Sequence, residues 1–279
     1  MIASKRREIV TLAAGVVAAS VLNPDKSKAE ENSLQGSKYF VSRATARPKP
    51  KIGMLIFPGV TSLDLIGPQS VLATTSDIFL IWKNKNLLLS DSGLILKPDT
   101  TLEESPKNLD VLFVPGGPGQ VEVMRDSDVL KFLADRGSRA NYVTSVCTGA
   151  LVLGAAGLLQ GYKAGTHWAA LSLLPLFGAK PMNERVVVDR NRLTGGGVTA
   201  GIDFGLTLLS ALQGERVAKV QELAMQYDPH PPFNVGTPEK AGPDVTRDAI
   251  TWIQAYGVDM IGTAHAAKED MQKYTILDR

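Results

Sequence analysis

The stretch "YVTSVCTGALVLGAAGLL", Tyr142 to Leu159, decides the fold. A β-branched run ends in Cys147, and a segment of small and aliphatic residues starts at once behind it. The first half reads as a strand buried on both faces and the second as a helix packed close to it. A strand turning directly into a helix makes a sharp elbow, with the geometry of a hydrolase nucleophile elbow although G-x-S-x-G is absent. Cys147 is the only cysteine, so an intramolecular disulfide is excluded. A lone cysteine is often an inert, buried apolar filler. At this elbow, however, free amides and the positive end of the helix dipole favour a thiolate. Gly149 and Ala150 are expected to leave room for a substrate.

Working outward, strand and helix patterns alternate. "IGMLIF" (Ile52–Phe57), "IFLIW" (Ile78–Trp82) and "VLFVP" (Val111–Pro115) are short apolar runs of the buried-strand type. "SLDLIGPQSVLA" (Ser62–Ala73) is a turn entering a helix, and a helix is expected from about Asp128 to Arg136. "LLLS" and "GLILK" suggest a small hairpin, "HWAALSLLPLFG" a helix, and "ERVVVDRNRLTGGG" two strands turning at Arg190 and Asn191. "GIDFGLTLLSALQG" and "ERVAKVQELAMQY" read as further helices, and the Pro-rich "DPHPPFNVGTPEKAGP" (Asp228–Pro243) as a connector. This order predicts an α/β fold, a mainly parallel sheet with helices on both faces. Such sheets place their sites beyond the carboxyl ends of the strands. Asp64, the "PGG" turn (Pro115–Gly117) and Cys147 all fall there.

Composition narrows the function classes. A net charge of +2 with 21% charged residues argues against a nucleic-acid-binding stripe. One cysteine and three scattered histidines give no metal-ligand set, so no metal and no cofactor is expected. Residues 1–29 read as an export signal. They hold a basic start with Arg6 and Arg7, an apolar core over Ile9–Leu22, and small residues at Ser27 and Ala29. The arginine pair suggests the Tat route, hence a periplasmic or exported protein, with an uncleaved membrane anchor as the alternative. Residues 30–50 read as a linker, 51–242 as the catalytic domain and 243–279 as a helical tail. No other segment is long and apolar enough to span a bilayer, so no stable membrane insertion is expected after signal removal.

Each candidate residue has a plain and a chemical reading. Asp64 sits between Leu63 and Leu65, either as a helix cap or as an acid aimed into the site. Buried beside a thiolate it would hold a proton at neutral pH. Thr148 offers a hydroxyl to substrate or simply opens the helix. Gly116 and Gly117 can aim amides at developing negative charge, as oxyanion holes do, or merely form a turn. His167, beside Trp168, is a base for the thiol or a core histidine. Gly195–Gly197 is a strand-to-helix turn; no lysine follows to make it a phosphate loop.

Taken together, "LIFPGVTSLDLIGP", "VLFVPGG", "SVCTGALVLGAAGLL", "THW", "LTGGGVTAGIDFGLTL" and "YDPHPPFNVGTPE" resemble the ThiJ/PfpI family over roughly Lys51–Glu239. The resemblance implies a flavodoxin-like three-layer sandwich, a homodimer and a cysteine nucleophile on the elbow. Many members carry Glu at the acid position. Asp64, with Thr148 after the cysteine, matches the branch that hydrates isonitriles. That implies a small-molecule substrate and no nucleic-acid partner: Cys147 attacks the isonitrile carbon while Asp64 protonates it. The alternatives are an amidase, protease or aldehyde-detoxifying enzyme on the same scaffold, or a cysteine redox or ligand sensor.

Overall fold

The computed structural model describes residues 48–274; the expected export signal, nearly all of the linker and the last five residues lie outside them. The first strand, β1 (Lys51–Leu55), is followed by α1 (Ser62–Leu72), β2 (Asp77–Trp82), the short pair β3 (Leu88–Leu89) and β4 (Ile95–Leu96), β5 (Thr100–Thr101) and β6 (Val111–Val114). Then come α2 (Gln120–Val123), α3 (Ser127–Gly137), β7 (Tyr142–Val146), α4 (Gly149–Ala155), β8 (Lys163–Ala164) and a 3-10 helix (Trp168–Phe177). The chain continues through β9 (Lys180–Pro181), β10 (Val186–Asp189), β11 (Arg192–Gly195), α5 (Ala200–Gln213), α6 (Glu215–Ala224), α7 (Pro238–Gln254) and α8 (Met260–Asp270).

Seven strands form the main sheet in the order β10-β11-β7-β6-β1-β2-β5. Every neighbouring pair is parallel except β10 with β11. The register Ile52↔Val111, Val114↔Ser145 and Gly195↔Val146 brings the carboxyl ends of β1, β6, β7 and β11 side by side. The largely apolar central strands are buried and need cover on both faces, and each face has its own core. One is built with Val129 and Leu133 of α3, Leu151 of α4 and Ala264 and Ala267 of α8. The other uses Leu65 and Val71 of α1, Phe204 and Leu208 of α5 and Ala218 of α6. The result is the three-layer sandwich expected from the alternation.

Two elements differ from the sequence reading, and a third is helical as expected but of the 3-10 type. The helix after Cys147 stops at Ala155, because Gly157 takes a left-handed φ of 76° and turns the chain. "HWAALSLLPLFG" is a 3-10 helix; Pro175 inside it lacks the amide that a regular α-helical ladder would use. The connector is shorter than expected, since α7 begins at Pro238, a favoured first helical residue, behind the cap Thr237. The expected tail boundary falls at a kink within α7, where Gly242 has φ 77°. Among the described residues, no helix is long and apolar enough to cross a membrane.

Candidate active site

At the end of β7 the chain must reverse within one residue, and Cys147 takes a left-handed φ of 56° to do so. For a residue with a Cβ this costs about 1–3 kcal/mol, so the surroundings must enforce it. The Cys147 N–H donates to the carbonyls of Gly196 (2.9 Å) and Gly195 (3.1 Å). Its own carbonyl accepts the Thr166 hydroxyl at 2.8 Å. Gly149 completes the elbow: a Cβ there would lie 2.1 Å from the Val114 carbonyl oxygen. The small residues after the cysteine therefore bring α4 against β6. They do not open space for substrate as expected, because Gly149 and Ala150 are both buried.

Asp64 lies in the first turn of α1 and is fully buried. It does not cap that helix. Its Oδ2 accepts the Gly116 N–H at 3.0 Å, while Oδ1 is buried without a hydrogen-bond partner. Gly116 holds Asp64 and Thr148 together, since a Cβ on it would fall 2.9 Å from Asp64 Oδ2 and 2.6 Å from Thr148 Oγ1. The Gly117 N–H donates to Thr148 Oγ1 at 3.1 Å. Both glycine amides thus bond the protein's own side chains in this structure, and Gly117 also lines the cavity beside Cys147. The amides aimed at the Cys147 sulfur are those of Thr148 and Val198.

The electrostatics also depart from the sequence reading. Burial pushes the Asp64 carboxyl up to about 7, assisted by the charge of Asp91, against the opposing pull of Cys147 and the Gly116 amide. Burial raises the Cys147 thiol well above its ordinary range, and the adjacent Asp64 carboxylate raises it further. The Thr148 and Val198 amides oppose this and are outweighed. The expected resting thiolate is therefore corrected. In a site this dry, desolvation of the anion exceeds what two amides and a two-turn helix return. The two groups instead titrate as a coupled pair, which holds two protons below about 7 and one above it until the raised thiol ionises.

His167 shares the site without touching the sulfur: among the described residues no hydrogen bond joins it to Cys147. Its Nδ1 accepts the Ala169 N–H at 3.3 Å, capping the 3-10 helix, so the neutral ring carries its proton on Nε2. Burial lowers its pKa and keeps it neutral. Cys147, Thr148, Gly117, His167 and Val198 line one cavity of about 550 Å³.

Sequence reasoning missed several contributors. Asp91, on the β3–β4 turn, accepts the Thr61 hydroxyl at 2.7 Å and the Ser62 amide at 3.2 Å, fixing the start of α1. Thr166 braces the elbow with its hydroxyl from nineteen residues away, and Val198 acts through its backbone amide, which leaves no side-chain signature. Residues of the C-terminal helices line the same cavity.

The comparisons agree with this geometry. The DJ-1/PfpI family model matches residues 50–211. Isonitrile hydratase of Pseudomonas putida is 51% identical over 201 residues, covering 71% of this chain and 88% of the relative. The HTH-type transcriptional regulator GbdR of Pseudomonas aeruginosa is 29% identical over 183 residues, which are 62% of this chain but 49% of the regulator. A crystal structure of a ThiJ/PfpI family protein from Pseudomonas syringae has a TM-score of 0.75 and 42% identity, covering 82% of this chain and 94% of that one. With the elbow cysteine, its buried acid and the parallel sheet beneath them, the chain belongs to the DJ-1/PfpI family.

Proposed function

We propose that this enzyme hydrates isonitriles, R–N≡C, to N-substituted formamides. The observation that carries the reading is the buried pairing of Cys147 with Asp64, in a chain 51% identical to an isonitrile hydratase. The terminal carbon of an isonitrile accepts both a proton and a nucleophile, and the pair holds one of each. The thiol proton passes to Asp64. Asp64 delivers it to the isonitrile carbon as Sγ bonds to that carbon, giving the thioimidate R–N=CH–S–Cys147. Asp64, now a carboxylate, takes a proton from water as the hydroxyl oxygen adds to the carbon, and hands that proton to nitrogen. The C–S bond then breaks, the hydroxyl proton returns to Asp64, and R–NH–CHO leaves. Atoms and charge balance as one isonitrile plus one water. Covalent catalysis of this kind replaces one difficult step by two easier ones.

The remaining residues support those steps. The Thr148 and Val198 amides face the sulfur when it carries charge, at attack and at departure. Thr148 and His167 face substrate from the cavity wall. Incubating the protein with methyl isonitrile should yield methylformamide, detectable by NMR, and Cys147→Ala should lower kcat by at least ~10⁴-fold. Substantial turnover in that variant, or ammonia from glutamine in place of formamide, would overturn the reading.

We also read the molecule as a homodimer. Leu87, Leu89, Leu94 and Ile95 on and beside the β3–β4 hairpin are exposed, as is Leu63 on α1. A concentration of exposed apolar side chains on one hairpin is what an interaction site requires. Light scattering should give twice the chain mass, and a monomer at micromolar concentration contradicts this.

A further inference from the structure

The catalytic cavity has two ends of different chemistry. One holds Cys147, Thr148, Gly117 and His167; the other is made by the C-terminal segment and is mostly apolar. Ile253 comes from the end of α7, Val258 from the turn behind it, and Met260 from the start of α8. All three are half-buried. Gly257, with φ 67°, turns the chain between the two helices so that both present residues to the cavity.

The α8 side of this wall is fixed to the body. Thr263, Ala264 and Ala267 of α8 are buried, and Arg125 donates to the Thr263 hydroxyl at 2.7 Å. Asp259 caps α8 through the Gly262 amide at 2.8 Å, and Met260 packs on the core beneath. The cavity, at about 550 Å³, lies within the range of roughly 300–1,000 Å³ seen for small-molecule sites. It is much larger than the isonitrile group, which must reach Cys147 at the polar end.

We infer that Ile253, Val258 and Met260 are specificity-determining residues that receive the substituent R and select bulky apolar groups over small ones. This rests on the hydratase reading above. A hydrophobic wall discriminates by contact area, and one methylene of misfit alters kcat/KM by ~10–200-fold.

The test compares methyl with benzyl isonitrile on the full chain. Ile253→Ala and Val258→Ala should each lower kcat/KM for benzyl isonitrile by about tenfold and change that for methyl isonitrile less than twofold. Phe233→Ala, on the exposed connector outside the cavity, should change neither. Retained methyl turnover shows that the variants fold. Equal losses on both substrates, or none on benzyl, overturn the inference alone. If the unsubstituted protein hydrates neither isonitrile, the hydratase reading fails and this inference with it.

Discussion

Asp64 and Cys147 are buried together and coupled electrostatically, and the energetics of the site follow from when each gives up its proton. Folded Asp64 titrates at about 7, against 3.8 for the free residue. Between those values the native state keeps a proton that the unfolded chain releases. Stability from this group is fully present below 3.8 and is lost as pH rises through 7, by up to about 4 kcal/mol. Asp64→Asn cannot ionise and keeps the shape of the side chain. Its melting temperature should match the parent near pH 4 and exceed it by several degrees at pH 8. A difference independent of pH contradicts the burial cost. At this scale the expectation that Asp64 and Cys147 lie close together was legible in the sequence. The sign of the thiol's shift was not, because the helix end after Cys147 is legible as a favourable dipole. The burial that outweighs it comes from the core cluster that Cys147 shares with residues distant in the chain, Phe113 and Phe204 among them.

Among elements, the elbow depends on how closely α4 approaches β6. A Cβ at Gly149 would meet the Val114 carbonyl oxygen at 2.1 Å, and neither backbone can yield without moving Cys147. Gly149→Ala should destabilise by about 2–3 kcal/mol, lowering the thermal midpoint by several degrees, and should reduce turnover further by displacing the sulfur. An unchanged midpoint and rate contradict this. The strands and most helices could be read from their periods, since runs such as "VLFVP" and "YVTSV" fit only a buried parallel sheet. The PGG turn could be located but its task could not. The amides of Gly116 and Gly117 were free to serve substrate in one dimension, and are bonded to Asp64 and Thr148 in three. That Trp168–Phe177 is helical was legible from its apolar composition, but its 3-10 type was not, because the composition is the same for both kinds of helix.

Across the whole molecule, the site is assembled from places far apart in the chain. Asp64 comes from the first turn of α1, which follows β1, Gly116 from the loop after β6, Cys147 from the end of β7, and Val198 from the loop after β11. The parallel register is what makes them neighbours. The convergence of three of these was legible from strand order alone. The contribution of residues 250–261 was not, because a polar, Pro-rich connector precedes them and carries no signal of where the chain returns. Enclosure by these parts creates the dry setting in which a thiol and a carboxyl share a proton. The pH dependence of kcat/KM for methyl isonitrile reads that setting directly. With the pair active only when singly protonated, the rate should climb about tenfold per pH unit below about 7, level off, and fall above the alkaline limit set by the raised thiol. A rate that stays flat from pH 5 to pH 9 contradicts the shared proton on which the proposed chemistry depends.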